Sequence, residues 1–386
     1  MLIEKEFICE ARKYLDEKHE EVIEWMKEIV EIESPTDNRE AVNEVGAWVK
    51  EKIKSLGGEI EVVPSNHPDR GDHIVARFKG ASSNEKPILL IAHLDTVWPI
   101  GTLEKMPFKI EGDKIYGPGV FDMKGGVIFA LYAIKLIQDL GLRLNRPINI
   151  LFNSDEEMNS QTSREIIDIE ASKAEAVLVL EGGIGEAVIT ERKGILYFKV
   201  TATGKSSHAG MDHQSGVNAI EEISRQVIDI QKKTNYDVGT TVSCGIIHGG
   251  TRTNVVPEKA VVEVDARVKT LDEADRLINE MKQLEPNLDG AKLDIYTLVK
   301  RPPLERNSGV KRIYEIARRC AEKQGYELKE ASTGAISDGN LTASKGIPTL
   351  DGLGPIGAGA HASHEHIVKS KINERLILIS QLLLSI

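Results

Sequence analysis

The chain has 386 residues, of which 41% are hydrophobic and 28% are charged, and its formal net charge is −11. This length exceeds what one core of ordinary size needs, so we expect two domains. The acidic balance and the lack of a long Lys/Arg block exclude nucleic acid as an expected partner, because phosphate binding needs a basic footprint. No apolar run reaches the roughly 20 residues of a membrane span, so no membrane partner is expected either.

The amino terminus has the pattern of a charged amphipathic helix and lacks the apolar core of a signal peptide, which predicts a cytoplasmic protein. The three cysteines, Cys9, Cys244 and Cys320, match no metal or redox spacing and are expected to be reduced thiols. Hydrophobic periodicity predicts one helix over residues 3–33 and another over residues 40–56.

The stretch Pro87–Val97 carries the first sign of a functional site. Its apolar run of residues 88–92 predicts a strand buried on both faces, as in a parallel sheet with helices on either side. Because side chains alternate along a strand, His93 and Asp95 should point the same way and Leu94 the opposite way. Open α/β sheets bind ligands at such carboxyl ends. Taken alone, the pattern also fits a capped core histidine with Asp95 in a turn.

Two further apolar strands lead into acidic residues. Residues 148–153 precede Glu156 and Glu157, and residues 176–180 precede Glu181. Adjacent acids repel one another unless a cation compensates, although a solvated acidic turn is a common alternative. If the three strands are neighbours in one parallel sheet, their terminal side chains converge on one edge. Carboxylates and an imidazole brought together in this way favour a metal site.

A glycine- and proline-rich connection over residues 98–126 follows the first of these strands. Long irregular segments inside compact domains are usually functional. Asp122 lies near its end, just before a helix predicted from Lys124 to Leu140. At that position Asp122 fits a helix N-cap and a metal ligand equally well.

The pattern of predicted elements changes at residues 194–302. Their predicted order of elements is βαββαβ, which is typical of a ferredoxin-like fold. We therefore predict a domain at 194–302 that is inserted into a catalytic domain made of residues 1–193 and 303–386. The last part carries three histidines in a glycine-rich segment, namely His361, His364 and His366.

The motifs HLDTV, GPGVFDMKGG, DEEMNS, LEGG and HASHE occur in the order seen in the di-zinc aminoacylase/carboxypeptidase family of metallopeptidases. Nearly the whole chain resembles this family, and its glutamate carboxypeptidase-like branch in particular. The resemblance implies an α/β fold, with a three-layer zinc-peptidase catalytic domain around a mixed sheet and an inserted ferredoxin-like α+β lid/dimerisation domain. It also implies two Zn²⁺ ions per subunit and a homodimer through the inserted domain. Cobalt or manganese also suits an N/O site of this kind.

Matched position by position, the resemblance implies the metal ligands. His93 and Glu181 hold one zinc, Glu157 and His361 hold the other, and Asp122 bridges the two. The resemblance further implies a cis peptide bond after Asp122.

The choice of His361 depends on the family pattern, which places the ligand four residues before a glutamate, here Glu365. His364 stays open as a surface residue or as a residue behind the ligands.

The resemblance assigns the general acid/base role to Glu156 and places Asp95 behind His93. The chemistry of the residues agrees with both roles. Glu156 must take a proton from water and deliver it to the leaving nitrogen, so it should not be a ligand itself. Asp95 can accept the other imidazole N–H of His93 and so fix its tautomer.

Substrate-binding residues are also implied by the resemblance. His208 polarises the scissile carbonyl, either from a neighbouring subunit or within one subunit after closure. Asn254 and Arg267 hold the terminal carboxylate of the substrate, and Gly359 lets the backbone approach it. Arg267 alone also fits an exposed strand residue.

The expected function is that of a zinc-dependent metallocarboxypeptidase. It would cleave an amide bond next to a free carboxylate, releasing a C-terminal amino acid such as glutamate from peptides or N-acyl conjugates, by a metal-bridged hydroxide with Glu156 as base. Glu181 disfavours an aminopeptidase, since aminopeptidases of the family tend to carry Asp there. The alternatives are an N-acyl amino acid deacylase of the acetylornithine or succinyl-diaminopimelate type and a non-catalytic metal-binding protein. Met123 and Gly182 depart from the pattern of the most similar branch.

Overall fold

The computed structural model describes residues 2–82 and 84–386. These residues form two compact units. The first unit runs to Thr190 and also contains Arg306–Ser332 and Ser337–Ile386, and the second contains Glu191–Glu305 and Thr333–Ile336. In the described part of the chain, no helix is both long and apolar enough to cross a membrane.

The elements are as follows. The helices are α1 Leu2–Glu17, α2 His19–Val30, α3 Arg39–Ser55, α4 Gly125–Asp139, α5 Arg164–Lys173, α6 Ala219–Gln231, α7 Leu271–Lys282, α8 Ser308–Gln324, α9 Gly339–Ala343 and α10 Ile372–Ser385. The strands are β1 Glu59–Val63, β2 His73–Phe78, β3 Ile88–His93, β4 Lys109–Glu111, β5 Lys114–Tyr116, β6 Ile148–Asn153, β7 Ala176–Val179, β8 Val188–Arg192, β9 Gly194–Thr203, β10 Ser207–His208, β11 Thr241–Gly249, β12 Val255–Val256, β13 Lys259–Val268, β14 Lys292–Arg301, β15 Glu330–Thr333, β16 Thr349–Leu350, β17 Gly357–Ala358 and β18 His366–Val368.

The first unit is built on a mixed six-stranded sheet with the order β1-β2-β6-β3-β7-β16. Strands β6, β3, β7 and β16 are parallel, whereas β1 and β2 are antiparallel to their neighbours. The central strand β3 lies directly between β6 and β7. The three apolar strands are thus parallel neighbours, which is the condition for their terminal side chains to converge.

Strand β3 buries both of its faces, as its apolar run predicts. Ile88, Leu90 and Ala92 belong to a core shared with α1, α2, α3, α4, α8 and α10. Leu89 and Ile91 belong to a separate core with α5 and α9 on the opposite face. Each fully buried aliphatic side chain of this kind stabilises the fold by about 1.5–3 kcal/mol. Helices, sheet and helices thus form three layers, and the predicted α/β class is confirmed.

The amino-terminal helix differs from the expectation. One helix was predicted over residues 3–33, but α1 and α2 are separate and meet at Lys18, whose backbone is not helical (φ −102°, ψ 8°). Both helices bury an apolar face, with Leu15 in α1 and Val22 in α2 among the buried residues. The apolar pattern continues across the break, and for this reason periodicity does not locate it.

The second unit has a four-stranded antiparallel sheet with the order β11-β13-β9-β14, and α6 and α7 pack on it. Alternating side chains such as Phe198 on β9 and Val262 on β13 meet Ile223 of α6 and Leu277 of α7 in a core of their own. This is the βαββαβ arrangement that the sequence predicts.

Candidate metal centre

Three strand ends of the first unit meet at one edge of the sheet. His93 is the last residue of β3, Glu156 begins a 3-10 turn after β6, and Glu181 follows β7 by two residues. Nε2 of His93 lies 3.4 Å from Oε1 of Glu181. Ligand atoms of His93, Glu156 and Glu181 all lie within 4.8 Å of one another. The structure therefore brings together the side chains that the strand pattern predicts to converge.

Asp122 lies between two imidazoles. Its Oδ1 is 3.2 Å from Nε2 of His93, and its Oδ2 is 3.2 Å from Nε2 of His361. His361 Nε2 is also 3.2 Å from Oε2 of Glu157. The two oxygens of one carboxylate thus face two different histidines, which is the geometry that a bridging ligand needs.

Asp122 is not a helix cap. It lies in a π turn, Val120–Lys124, that precedes α4, and the N-cap position of α4 is Lys124, which makes no side-chain capping bond within the described residues. The peptide bond between Asp122 and Met123 is cis, as the resemblance implies. Of the two interpretations that local sequence leaves open, the N-cap is therefore excluded.

The acids after β6 are buried and do not form a solvated turn. Asp155 is fully buried, and Glu156 is only 8% exposed. The carboxylate of Asp155 accepts hydrogen bonds from the backbone N–H of Thr162 and the hydroxyl of Ser163. These bonds hold the turn in place. The solvated alternative is wrong because protein groups, not water, surround this turn.

Asp95 does more than the sequence suggests. Nδ1 of His93 donates to the backbone oxygen of Asp95 at 2.8 Å, whereas the carboxylate Oδ1 is 3.4 Å away. The carboxylate instead accepts from the backbone N–H groups of Glu156 and Glu157, both at 3.2 Å, and from the hydroxyl of Thr36 at 2.8 Å. The carbonyl therefore fixes the tautomer of His93, with its Nε2 lone pair towards the cluster. The side chain of Asp95 positions the turn that bears Glu156 and Glu157.

The segment around His361 is a pair of tight turns. Gly359 and His361 have positive φ angles of 85° and 60°, and Ala362 N–H donates to the carbonyl of Gly359. A Cβ on Gly359 would lie 3.0 Å from Cα of Glu365, so this glycine is required by the turn itself. The turn brings Nε2 of His361, which is itself exposed, to 3.2 Å from Asp122 and Glu157, and His364 is exposed as well.

A close steric contact explains the glycine at position 182, which departs from the pattern of the similar branch. A Cβ at this position would lie 2.1 Å from Cζ of Phe121. The Phe121 ring therefore lies directly on the backbone beside Glu181. Since Phe121 precedes Asp122, this contact joins the segments that carry two of the predicted ligands.

The cluster attracts positive charge. Burial alone would lower the pKa of His93, but the surrounding carboxylates of Asp122, Asp95 and Glu181 outweigh it and raise that pKa well above 6.5. Asp122 and Glu157 raise the pKa of His361 to about 10. Burial raises the pKa of Glu157. Protons or metal cations can both supply the charge that such a cluster attracts.

The donor set fits two metal ions. It offers imidazole nitrogens and carboxylate oxygens, which suit zinc, cobalt and manganese. The buried Oε1 of Glu157 has no hydrogen-bond partner among the described residues, as expected for an oxygen that faces a cation. His93, Asp122 and Glu157 form a second group of atoms within 4.8 Å of one another. Distance alone does not separate Glu156 from the ligands, because it too lies within this range.

The predicted substrate-binding residues of the second unit fall into two places. His208 on β10 pairs with Val255 on β12, and Ala209 N–H donates to the carbonyl of Asn254, so His208 and Asn254 are neighbours. Nδ1 of His208 accepts from backbone N–H groups of Gly210 and Met211, which leaves the proton of the neutral ring on Nε2.

Arg267 lies in the four-stranded sheet of this unit. It is eight residues along β13 from Lys259, or roughly 26 Å at 3.3 Å per residue, while β12 joins the Lys259 end of β13 through Pro257 and Glu258 and pairs with β10 in a separate two-stranded sheet. Its guanidinium pairs with Asp265 two residues earlier, at 2.8 Å.

The fold and this cluster define the chain as a metallohydrolase of the peptidase type. The sequence pattern of peptidase family M20/M25/M40 matches residues 89–385, and the chain belongs to that family. The resemblance inferred from the motifs is thereby confirmed, and the protein is a hydrolase of the metallopeptidase class.

Named relatives agree with this assignment. Carboxypeptidase G2 of Pseudomonas sp. (strain RS-16) is 33% identical over 374 residues, which cover 95% of this chain and 89% of that protein. The aminopeptidase PepT structure from Bacillus cereus ATCC 10987 has a TM-score of 0.78 at 22% identity and covers 95% of this chain and 98% of its own. The Bacillus subtilis YXEP protein, described as a dinuclear metal binding peptidase of the M20 family, has a TM-score of 0.71 at 14% identity over 96% and 98% of the two chains. The two structures share the fold with this chain.

Proposed function

We propose that the protein is a zinc-dependent carboxypeptidase that holds two zinc ions per subunit and releases a C-terminal amino acid, glutamate among them, from peptides or N-acyl conjugates. The observation that carries this proposal is the position of Asp122, with one oxygen towards His93 and the other towards His361. The identity to carboxypeptidase G2 over 95% of this chain supports the choice of reaction. Bound zinc ions lower the pKa of water and polarise a carbonyl oxygen.

The distances support the ligand set that the resemblance implies. His93 and Glu181 would hold one ion, Glu157 and His361 would hold the other, and Asp122 would bridge them. Each predicted ligand lies within 3.4 Å of another member of the set. Cobalt or manganese would suit the same nitrogen and oxygen donors.

Glu156 would move the proton. Its carboxylate accepts a proton from water as the water oxygen bonds to the carbonyl carbon, and it then gives that proton to the amide nitrogen as the C–N bond breaks. Two contacts support this role: its carboxylate lies within 4.8 Å of His93 and Glu181, and Asp95 holds its backbone N–H. Glu157, the next residue, is turned towards His361 instead.

The substrate contacts belong to the second unit. Arg267 and Asn254 would bind the terminal carboxylate of the substrate, and the Nε2–H of His208 would donate to the carbonyl oxygen as negative charge develops there. Gly359 would leave room for the backbone of the substrate. Arg267 must exchange its pairing with Asp265 for the substrate carboxylate, since the guanidinium is engaged at 2.8 Å.

A homodimer is part of this proposal. Roughly 26 Å of strand separates Arg267 from Lys259, and the two-stranded sheet that carries His208 is joined to the Lys259 end of β13. The separation of these two regions along the second unit supports a contribution of His208 from a partner subunit. The edge strand β11 and the adjoining helix α6 also expose large apolar residues, with Ile228 58% and Ile247 54% exposed.

The localisation that we propose is the cytoplasm. Fractionation of cells that express the full chain tests it, and recovery outside the cytoplasm would contradict it.

Hydrolysis of a small substrate panel tests the function. The panel holds N-acyl-glutamate, a peptide ending in glutamate, a peptide ending in an apolar residue, N-acetylornithine and an amino-terminal dipeptide. We expect zinc-dependent release of a C-terminal residue and loss of activity in a chelator. Cleavage of N-acetylornithine alone would assign a deacylase, and two bound metals without any turnover would favour a binding protein.

A further inference from the structure

Glu365 is a buried carboxylate with an unusually full set of donors. It is 1% exposed. Its Oε1 accepts from the backbone N–H groups of Phe121 and Asp122 at 2.9 and 3.0 Å. Its Oε2 accepts from the backbone N–H of Gly119 at 2.9 Å and from Nε1 of Trp98 at 2.8 Å.

These contacts match what an ionised carboxylate can do. It has about four lone-pair sites and no donor, and the four groups that hydrogen-bond to it are all N–H donors. Charge-assisted bonds of this kind are roughly twice as strong as neutral ones. The turn that carries Asp122 is not helical and cannot pair these backbone N–H groups by itself. Glu365 therefore supplies the acceptors that they need.

The position of Glu365 in the chain adds a second link. It lies four residues after His361, in the same pair of tight turns, and its own N–H donates to Ala362. Its side chain crosses to the turn that carries Asp122. One residue thus connects the two segments whose side chains, Asp122 and His361, are 3.2 Å apart.

We propose that Glu365 is the positioning residue of the metal centre, which sets the distance and orientation between Asp122 and His361 by accepting the N–H groups of the Asp122 turn. It touches neither substrate nor metal and acts through Asp122. Trp98 completes the arrangement and fixes the start of the long connection to the same carboxylate. This inference rests on the proposed metal centre.

The variant Glu365→Gln keeps the size of the side chain but replaces one of its two equivalent oxygens with an NH₂ group. That NH₂ group would face two N–H donors and repel them. The Asp122 turn must then shift, and the metal ligands with it. Residues that orient metal ligands typically contribute 10- to 100-fold to metal affinity, so we expect zinc affinity to fall by about that factor.

The test compares metal binding by the full-length protein and by Glu365→Gln. Zinc is titrated against a competing chelator, and the visible absorption spectrum of the cobalt-loaded protein reports the coordination geometry. We expect weaker zinc binding and an altered cobalt spectrum. The variant Trp98→Phe, which removes a single donor and keeps an aromatic ring, should shift both readouts in the same direction by a smaller amount.

The matched control is Glu222→Gln. Glu222 is also fully buried and accepts the backbone N–H groups of Asn287 and Leu288, but it lies in the second unit. A loss of stability alone would therefore appear in both variants, whereas weakened metal binding should appear only in Glu365→Gln.

The outcomes separate this inference from the proposed function. Wild-type protein that binds no divalent metal would overturn the proposed function and the inference together. Wild-type protein that binds zinc, with Glu365→Gln and Trp98→Phe showing the same affinity and cobalt spectrum, would overturn the inference alone. If Glu365→Gln does not fold, Trp98→Phe provides the test. An unchanged zinc affinity and an unchanged cobalt spectrum in Trp98→Phe would then count against the proposal.

Discussion

The metal cluster of the first unit and the predicted substrate residues of the second unit are built in opposite ways. His93, Asp122 and Glu157 are packed into one group, with His93 buried, the other two half-buried and ligand atoms within 4.8 Å of one another. His208 is exposed on a two-stranded sheet, and Arg267 pairs with Asp265 on β13 of the separate four-stranded sheet. One region is assembled within a single chain, and the other presents its residues at the surface.

A metal centre and a set of substrate-binding residues place different requirements on the fold. A metal centre holds several charged groups close together, so it requires buried strand ends and neighbouring carboxylates that fix each turn. Residues that meet a substrate must remain reachable and can be supplied from separate surfaces. Substitutions in the first unit should therefore affect chemistry and metal binding, and those in the second should affect substrate use or local stability.

The largest effect is expected from Glu156→Gln. Loss of the proton acceptor should lower kcat by about 10²- to 10⁴-fold, because general acid–base catalysis contributes about that much. The metal content, measured by elemental analysis, should stay at the wild-type value, since Glu156 is not a ligand in the proposed scheme. The control Glu165→Gln changes an exposed acid on α5 and should leave kcat unchanged.

A result in which Glu156→Gln also loses a metal would show that Glu156 is a ligand. Glu156 would then belong to the metal cluster and would not be a separate proton acceptor.

The second prediction concerns mixed dimers of Glu156→Gln and His208→Ala. If His208 serves the partner's site, one site of each mixed dimer regains an intact Glu156 together with an intact His208. Random pairing of equal amounts should then restore activity at about a quarter of the sites. Co-expression of the two variants, followed by kcat measurement, provides the test. Activity no higher than that of the separate variants would place His208 in the same chain as the site that it serves.

The third prediction tests the contact between Phe121 and Gly182. Gly182→Ala places a methyl group where the Phe121 ring now lies, so the ring must move. In a double-mutant cycle with Phe121→Ala, the two substitutions should couple by about 0.5–3 kcal/mol in the free energy of unfolding. Thermal or chemical denaturation of the four proteins gives this number. Additive effects would mean that the contact does not join the two segments.

The smallest effect on function is expected from Glu222→Gln in the second unit. Burial opposes the charge of Glu222, but bonds from Gln226, Asn287 and Leu288 prevail and lower its pKa below the usual 4.5. Since the folded pKa is depressed, its stabilisation is present above about pH 4.5 and is lost as the pH falls through the folded pKa. We expect Glu222→Gln to lower the free energy of unfolding of this unit by about 1–3 kcal/mol at neutral pH.

This difference between wild type and Glu222→Gln should shrink on acidification. Hydrogen exchange of the amides of β9 and β13 at several pH values measures it without reference to the first unit. A difference that does not change with pH would contradict the assignment of an ionised Glu222. Zinc affinity and kcat should remain at the wild-type values.

Several features of the site followed from local pattern alone. The alternation of Leu89 and Ile91 with Leu90 and Ala92 predicted a strand buried on both faces, because side chains alternate across a sheet. The ordered motifs predicted the family, which the match over residues 89–385 confirms. By contrast, the break at Lys18 was missed because the apolar pattern continues across it.

Other features depend on residues that are far apart in the chain. Asp95 accepts from Thr36, 59 residues earlier, and Glu365 accepts from Asp122, 243 residues earlier. No periodicity or spacing connects such pairs. The only signal for Glu365 was its place four residues after His361, which marked the motif and gave no role to the glutamate.

The sequence by itself determined the α/β class, the three apolar strands that lead into polar residues, and the family. These depend on the period of the apolar pattern and on motifs that are contiguous in the chain. Only the tertiary structure decided that Asp122 is not a helix cap, that the acids after β6 are buried, and that Glu365 fixes the turn before α4. The physical reason is that a buried carboxylate takes its role from the donors and charges around it, and folding brings these together from distant parts of the chain.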